Sequence, residues 1–234
     1  MKVNKDKDKD KDRDRDRDYR LNTLEAYQNF NKAKKYYAQH HKSMSWAWFM
    51  MWLELRCVSQ ALIHFEANEK KILDIPCGTG IAANTINDFD CEIIAIDISL
   101  EMQEFAKDSY KSNKSTEFII GDITNIPLPD NYSYGSIVLG FFHRVPYDIK
   151  KKALLELHRV NKEFIVFSFS MDSFFQRLKK RFYSIFNTSF KSAPKPLHIG
   201  EIKKLLSDTN FKVEKIKTII PFLSSEIIIW ATKN

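Results

Sequence analysis

The stretch "ILDIPCGTGI", Ile72 to Ile81, decides how this 234-residue chain is read. A short apolar run ends in Asp74 and breaks at once into a turn holding Gly78 and Gly80. An apolar run of this length bounded by turn residues reads as a buried strand. Glycines just after a strand let the backbone approach a ligand with no Cβ in the way. Residues 78 to 83, "GTGIAA", match the GxGxxA form of a dinucleotide loop, a weak signal by itself. Asp74 argues against that ligand, because its carboxylate would lie near the docked pyrophosphate and like charges repel. The same carboxylate suits a positive ammonium or sulfonium. A P-loop is excluded because no Lys-Ser/Thr follows the glycines.

Outward from this loop, short apolar runs alternate with helical stretches. The runs are Lys71–Ile75, Cys91–Asp97, Glu117–Gly121, Gly135–Phe142 and Phe164–Ser170, with helices expected from near Gly80, Ser99 and Asp148. This alternation implies an α/β fold with right-handed crossovers and a parallel sheet. The near-continuous apolar character of "SIVLGFF" and "FIVFSF" fits strands covered on both faces. Phe211–Ile220 and Glu226–Lys233 read as an antiparallel pair closing one edge. Ahead of the loop, Tyr27, Phe30, Ala33, Tyr36 and Tyr37 recur at helical steps, and a second helical run spans Met44 to Phe65.

In an open parallel sheet, ligands bind beyond the carboxyl ends of the strands. Acids stand at three successive strand ends: Asp74, Asp97 in "IIAIDIS" and Asp122 in "IIGDI". Asp97 is placed to accept hydrogen bonds from both ribose hydroxyls of an adenosine. Asp122 is placed to accept one from an adenine amine, with Ile98 and Ile123 available to pack on the ring. A cap for the helix starting at Ser99 is an alternative role for Asp97, and a turn residue an alternative for Asp122. Taken in order, the three carboxylates describe a cationic nucleoside, S-adenosylmethionine (SAM).

"ILDIPCGTG", "AIDIS", "GDITNIPLPDNYSYGSIV" and "FFHRVP", in this order, resemble the class I, seven-strand SAM-dependent methyltransferases, in particular the branch acting on quinones and other small acceptors. The resemblance covers about Lys70 to Lys233. It implies a Rossmann-like, doubly wound sheet of order 3-2-1-4-5-7-6 with the last strand antiparallel, and S-adenosylhomocysteine as product, with no metal. It implies cofactor contacts at Asp74, Cys77, Gly78, Gly80, Asp97, Ile98, Asp122 and Ile123. Pro76 departs from the family, standing where many relatives have the first loop glycine, and it has no N–H to donate.

If the acceptor is a hydroxyl, a base assists methyl transfer. His143 in "FFHRVP" is the candidate, with a loop-holding role as the alternative, and Arg144 could grip an anionic acceptor. The residues "GFFHRVP" replace the [DNS]PP[YFW] motif of amino-directed methyltransferases, so that class is not expected. Candidate acceptor-binding residues are Tyr36 and Trp48 in the N-terminal helical region. Phe174 and Phe175 are further candidates, in the basic, aromatic insertion Ser173 to Pro196. That insertion reads as a lid, as a basic amphipathic helix on an anionic membrane, or as a helix packed on the core.

The rest of the chain sets boundaries. Net charge is +7, with 44% hydrophobic and 29% charged residues. A basic body suits anionic substrates, anionic membranes or nucleic acid, and no specific nucleic-acid module is evident. "KDKDKDKDRDRDRD", Lys5 to Asp18, has no apolar residue to offset the entropy of ordering and reads as a solvated tail. Three cysteines without a CxxC pair argue against disulfide or zinc frameworks and fit a reducing cytosol. The polar N-terminus shows no secretory signal, and "WAWFMMWL" is well short of the ~20 apolar residues a spanning helix needs. The expected organisation is a tail at 1–18, a helical extension at 19–68 and a methyltransferase domain at 69–234. The expected location is cytoplasmic with room for peripheral membrane contact, and the expected function is O- or C-methylation of a small or lipid-like acceptor, with RNA or protein methylation or a non-catalytic SAM-binding role as the alternatives.

Overall fold

A computed structural model describes residues 33–35, 37–38, 45–113, 115–171, 197–220 and 225–234. The charged tail, Tyr36, Phe174, Phe175 and the rest of the insertion to Pro196 lie outside the described residues.

In chain order the elements are α1 (Trp46–His64), β1 (Lys71–Asp74), α2 (Ala83–Ile86), β2 (Glu92–Asp97), α3 (Leu100–Ser109), β3 (Thr116–Ile120) and β4 (Ser133–Val138). Then come α4 (Tyr147–Val160), β5 (Asn161–Ser170), α5 (Ile199–Ser207), β6 (Phe211–Thr218) and β7 (Glu226–Lys233). The sheet runs β3-β2-β1-β4-β5-β7-β6. The first five strands pair in parallel, and β7 lies antiparallel between β5 and β6. Order and direction match the expectation from sequence, with β6 as the closing edge. The apolar run after Ser133 leaves the sheet at Val138, earlier than its hydrophobicity suggested, because Leu139 to Phe142 turn over the strand ends.

The register sets up the site. Asp74 pairs with Ala95 on one side and Ile137 on the other, and Asp97 pairs with Ile120. The carboxyl ends of β1, β2, β3 and β4 therefore form one rim. Strand order reverses between β1 and β4, which is where open α/β sheets bind ligands.

Two apolar clusters cover the two faces. One joins Leu73, Ile94 and Phe167 to Leu154 and Leu157 of α4 and Leu205 of α5. The other joins Ile72, Ile93, Phe164 and Trp230 to Val58 and Leu62 of α1, Ala83 of α2 and Ala106 of α3. Gly135 permits the second packing, since a Cβ there would stand 2.3 Å from the Phe164 ring. That ring stacks on Phe65 at 4.3 Å.

Helix α1 is thus part of the domain core. Ser45 caps it, accepting the Trp48 N–H at 3.1 Å. Its buried stripe Met51, Leu55, Val58 and Leu62 steps at four- and three-residue intervals, as an inward helix face must. Ser99 caps α3 by accepting the Met102 N–H at 3.1 Å. Helix α5 was not read from the sequence; its start is marked by His198, whose N–H donates to Glu201 at 2.7 Å. Among the described residues no helix is long and apolar enough to cross a membrane.

Candidate active site

The glycine loop is built by local hydrogen bonds. After β1, Ile75 N–H donates to Ile137 O at 3.1 Å, the Ile75–Pro76 peptide is cis, and Cys77 N–H donates to Ile96 O at 2.8 Å. Gly80 N–H closes the turn on Cys77 O at 2.8 Å. Gly78 and Gly80 have φ of 52° and 78°, in the left-handed region that favours glycine. Their surroundings differ. A Cβ on Gly80 would meet Ser109 Cβ at 2.7 Å, so this glycine seats the loop on α3. Among the described residues a Cβ on Gly78 would have nothing within 4 Å, so its bare backbone faces the cavity.

Asp74 is 2% exposed and accepts a hydrogen bond from the Tyr110 hydroxyl at 2.7 Å. Burial pushes its pKa up to about 7, against the Tyr110 hydrogen bond and with a contribution from Asp97. Asp97 accepts from Gly78 N–H at 2.8 Å with Oδ2 and from Ser99 N–H at 2.9 Å with Oδ1. Burial raises it to about 6, opposed by those N–H donors. A carboxylate offers about four lone-pair sites, so both oxygens keep capacity for further donors. Asp97 thus braces the glycine loop through Gly78, which is compatible with ligand binding, while the cap of α3 weighed as its alternative role is supplied by Ser99. Two buried acids flanking the bare backbone at Gly78 are unsuited to a pyrophosphate and suited to a cation bearing hydroxyls.

Asp122 shapes its own turn, accepting from Thr124 N–H at 2.8 Å and Thr124 Oγ1 at 2.9 Å. Arg159 of α4 pins the segment beyond it, donating to Ile126 O at 2.9 Å and Leu128 O at 2.7 Å, while Glu156 accepts the Ile126 N–H at 2.8 Å. Ile98 is half-buried, whereas Ile123 is 6% exposed and part of the core. Cys77 is buried, and burial with the nearby Asp97 and Asp74 charges holds its thiol well above the ordinary value, which leaves it a small loop residue.

A cavity of about 310 Å³ opens from the loop toward the β4 end. One wall carries Asp74, Gly78 and Thr79, and Thr79 Oγ1 is buried with no hydrogen-bond partner among the described residues. A second wall is α1, presenting Ala47, Met50, Met51 and Glu54. The third holds Gly140, His143, Arg144 and Glu226. His143 and Arg144 thus stand where the sequence placed them. His143 Nε2 accepts from Arg144 Nε at 3.1 Å, and its buried Nδ1 has no partner among the described residues. Burial and the positive charges of Arg144 and Lys150 push His143 down to about 4. Trp48 is half-exposed and does not line this cavity; its neighbours Ala47 and Met50 do.

Glu54 is the residue the sequence reading passed over. Burial, with Glu226 beside it, pushes its carboxyl up to about 8, against a hydrogen bond from Ser168 and the charge of Arg144. Burial also raises Glu226, and Arg144 lowers it. A single acid inside the apolar run "MMWLELR", one step from the inward stripe, was the available signal.

Residues 72–163 match the family profile of a methyltransferase domain. The seven-strand fold is that of the class I methyltransferases. In sequence the chain is similar to a demethylmenaquinone methyltransferase of Renibacterium salmoninarum, 32% identical over 108 residues, 45% of this chain and 44% of that protein. A malonyl-[acyl-carrier protein] O-methyltransferase of Pectobacterium atrosepticum is 28% identical over 103 residues, 43% of this chain and 38% of that one. The matches span less than half the length of these relatives. In structure the chain is similar to magnesium protoporphyrin IX methyltransferase from Synechocystis, solved with bound S-adenosylhomocysteine (TM-score 0.67, 16% identity, 77% of this chain and 82% of that one). It is also similar to human N-acetylserotonin methyltransferase in complex with SAM (TM-score 0.65, 19% identity, 89% of this chain and 57% of that one). The methyltransferase domain's profile match ends at residue 163, so β6 and β7 are assigned to the fold by structure alone.

Proposed function

We propose that this protein is a SAM-dependent methyltransferase that methylates a small or lipid-linked acceptor at oxygen or carbon. The observation that carries the reading is the pairing of two buried acids, Asp74 and Asp97, with the open backbone of Gly78 at the sheet's switch point. Asp74 and Thr79 would hold the charged end of SAM, Asp97 its ribose, and Ile98 with the Asp122 turn its adenine. SAM supplies an electrophilic methyl on a sulfonium. The chain's own part is to hold the acceptor close and in line, which accounts for much of the rate in such displacements.

The acceptor half is bounded by Met50, Met51, His143 and Arg144. Its mixed apolar and polar walls fit an aromatic or carrier-linked molecule better than a polymer surface. The acceptors in the names of the sequence relatives, demethylmenaquinone and malonyl-[acyl-carrier protein], support the same class. An exposed aromatic ridge on α1, Trp46, Phe49 and Trp52, with ring centroids 5.8 and 6.2 Å apart, would help gather an apolar acceptor or rest against a membrane surface. The test is incubation of the protein with methyl-labelled SAM and extract from source cells that lack it, followed by phase separation. Label in the organic phase is expected. Label confined to acid-insoluble RNA or protein would overturn the acceptor class, and SAM binding with no labelled product would favour a non-catalytic role.

A further inference from the structure

We propose that Glu54 of α1, resting on the methyltransferase reading above, is the base that takes the proton from a hydroxyl-bearing acceptor. Three geometric facts lead there. First, Glu54 lines the same cavity as the glycine loop, together with Met50 and Met51. Second, its hydrogen-bond partner is fixed in direction. Ser168 Oγ accepts the Gly140 N–H at 2.8 Å, which turns the hydroxyl's own proton toward Glu54. Third, the alternative base is engaged: His143 Nε2 already accepts from Arg144, which leaves Nδ1 as its protonated nitrogen.

The electrostatics agree. Among the described residues, the charged and titratable groups coupled to Glu54 or lining its cavity are Glu226 at the start of β7, Arg144 and His143 beyond β4, Asp74 at the end of β1, Cys77 of the glycine loop and Cys57 on α1 itself. Burial and Glu226 hold Glu54 at about 8, close to the pH at which a general base is most effective, whereas His143 at about 4 is a weak base. In the step, the acceptor oxygen bonds to the methyl carbon as the carbon–sulfur bond breaks and its electron pair stays on sulfur. The hydroxyl proton passes to Glu54 and then to water. Loss of the sulfonium charge raises the proton affinity of any nearby carboxylate, so the transfer becomes more favourable as it proceeds.

The test uses the full chain, methyl-labelled SAM and 1,4-naphthalenediol as a dihydroxyaromatic probe, with wild type, Glu54→Gln and His143→Gln. Calorimetry with SAM comes first, because a wild type that does not bind SAM removes the methyltransferase reading itself. Given binding, Glu54→Gln should keep its SAM Kd within about twofold and lose roughly 10²- to 10⁴-fold in kcat, the range for a general base. Wild-type activity should rise with pH through a midpoint near 8, since the base acts when ionised, and Glu54→Gln should lose that rise while His143→Gln keeps it. Independently of turnover, ¹³C-carboxyl NMR of glutamate-labelled protein should show a resonance titrating near 8 that is absent from Glu54→Gln. The proposal is overturned if Glu54→Gln retains kcat and the pH profile, if the pH-dependent rise disappears with His143→Gln instead, if no glutamate titrates above 6, or if SAM-bound wild type leaves the diol unmethylated.

Discussion

Asp74→Asn should stabilise the ligand-free protein and abolish its ligand binding. Asp74 is 2% exposed, and burial lifts it from an ordinary 3.8 to about 7. A raised acid binds a proton more readily folded than unfolded, so stability falls as pH climbs from about 4 to about 7 and is level above that. At about 1.4 kcal/mol per unit, three units amount to roughly 4 kcal/mol of destabilisation at pH 8. Two of those units lie between pH 5 and 7, so the advantage of Asp74→Asn should grow by about 3 kcal/mol from pH 5 to pH 8. For a chain of this size that is roughly 6–12 °C in Tm. The Asn oxygen still accepts the Tyr110 hydroxyl, so the substitution leaves that buried donor satisfied. Thermal unfolding by circular dichroism at the two pH values, with and without SAM, provides the assay. SAM should protect wild type and leave the variant unchanged. A pH-independent difference, or a variant less stable than wild type at pH 8, would refute the claim that Asp74 is held ionised at a cost to the fold.

Other expected outcomes follow from the same geometry. SAM affinity of wild type should rise from pH 5 to about 7 and then level off, since a cation binds best to ionised Asp74 and Asp97; an affinity flat across that range in calorimetry would contradict this. Gly80→Ala should destabilise by several kcal/mol, because its Cβ would stand 2.7 Å from that of Ser109, whereas Gly78→Ala should cost about 1–2 kcal/mol of left-handed strain yet lose most SAM affinity; denaturant unfolding and calorimetry separate the two. Asp97→Ala should fold but bind SAM at least 10²-fold more weakly, since charge-assisted hydrogen bonds contribute about 1.5–3 kcal/mol each. Arg159→Ala should lower stability by about 1–3 kcal/mol and speed amide exchange at Ile126, because it leaves the Leu128 carbonyl and Glu156 without their main partner.

The sheet was legible because its strands are short, apolar and bounded by turns, and because each of the first three ends at an acid or glycine. Asp74, Gly78, Gly80, His143 and Arg144 could be placed from position alone, since loops at strand ends must face the rim. What stayed hidden depends on how distant segments meet. Nothing local in "MMWLELR" says that Glu54 will face Ser168 and Glu226, which lie more than a hundred residues away. Tyr110 reads as an ordinary helix-end aromatic until the fold brings its hydroxyl to Asp74. Ile123 was legible as an apolar residue after an acid, but the turn held by Asp122 and Thr124 carries it into the core. Helix phase sets Trp48 apart from this cavity, since the stripe lining it runs through Ala47, Met50, Met51 and Glu54.

The central claim is that the acid-flanked glycine loop receives a cationic nucleoside. Titration of SAM and, separately, NAD into the purified protein at pH 7.5 by calorimetry tests it most directly. The account predicts one saturable site for SAM, lost in Asp74→Asn and Asp97→Ala, and no heat of binding with NAD. Saturable NAD binding that survives Asp74→Asn, with none for SAM, would contradict it.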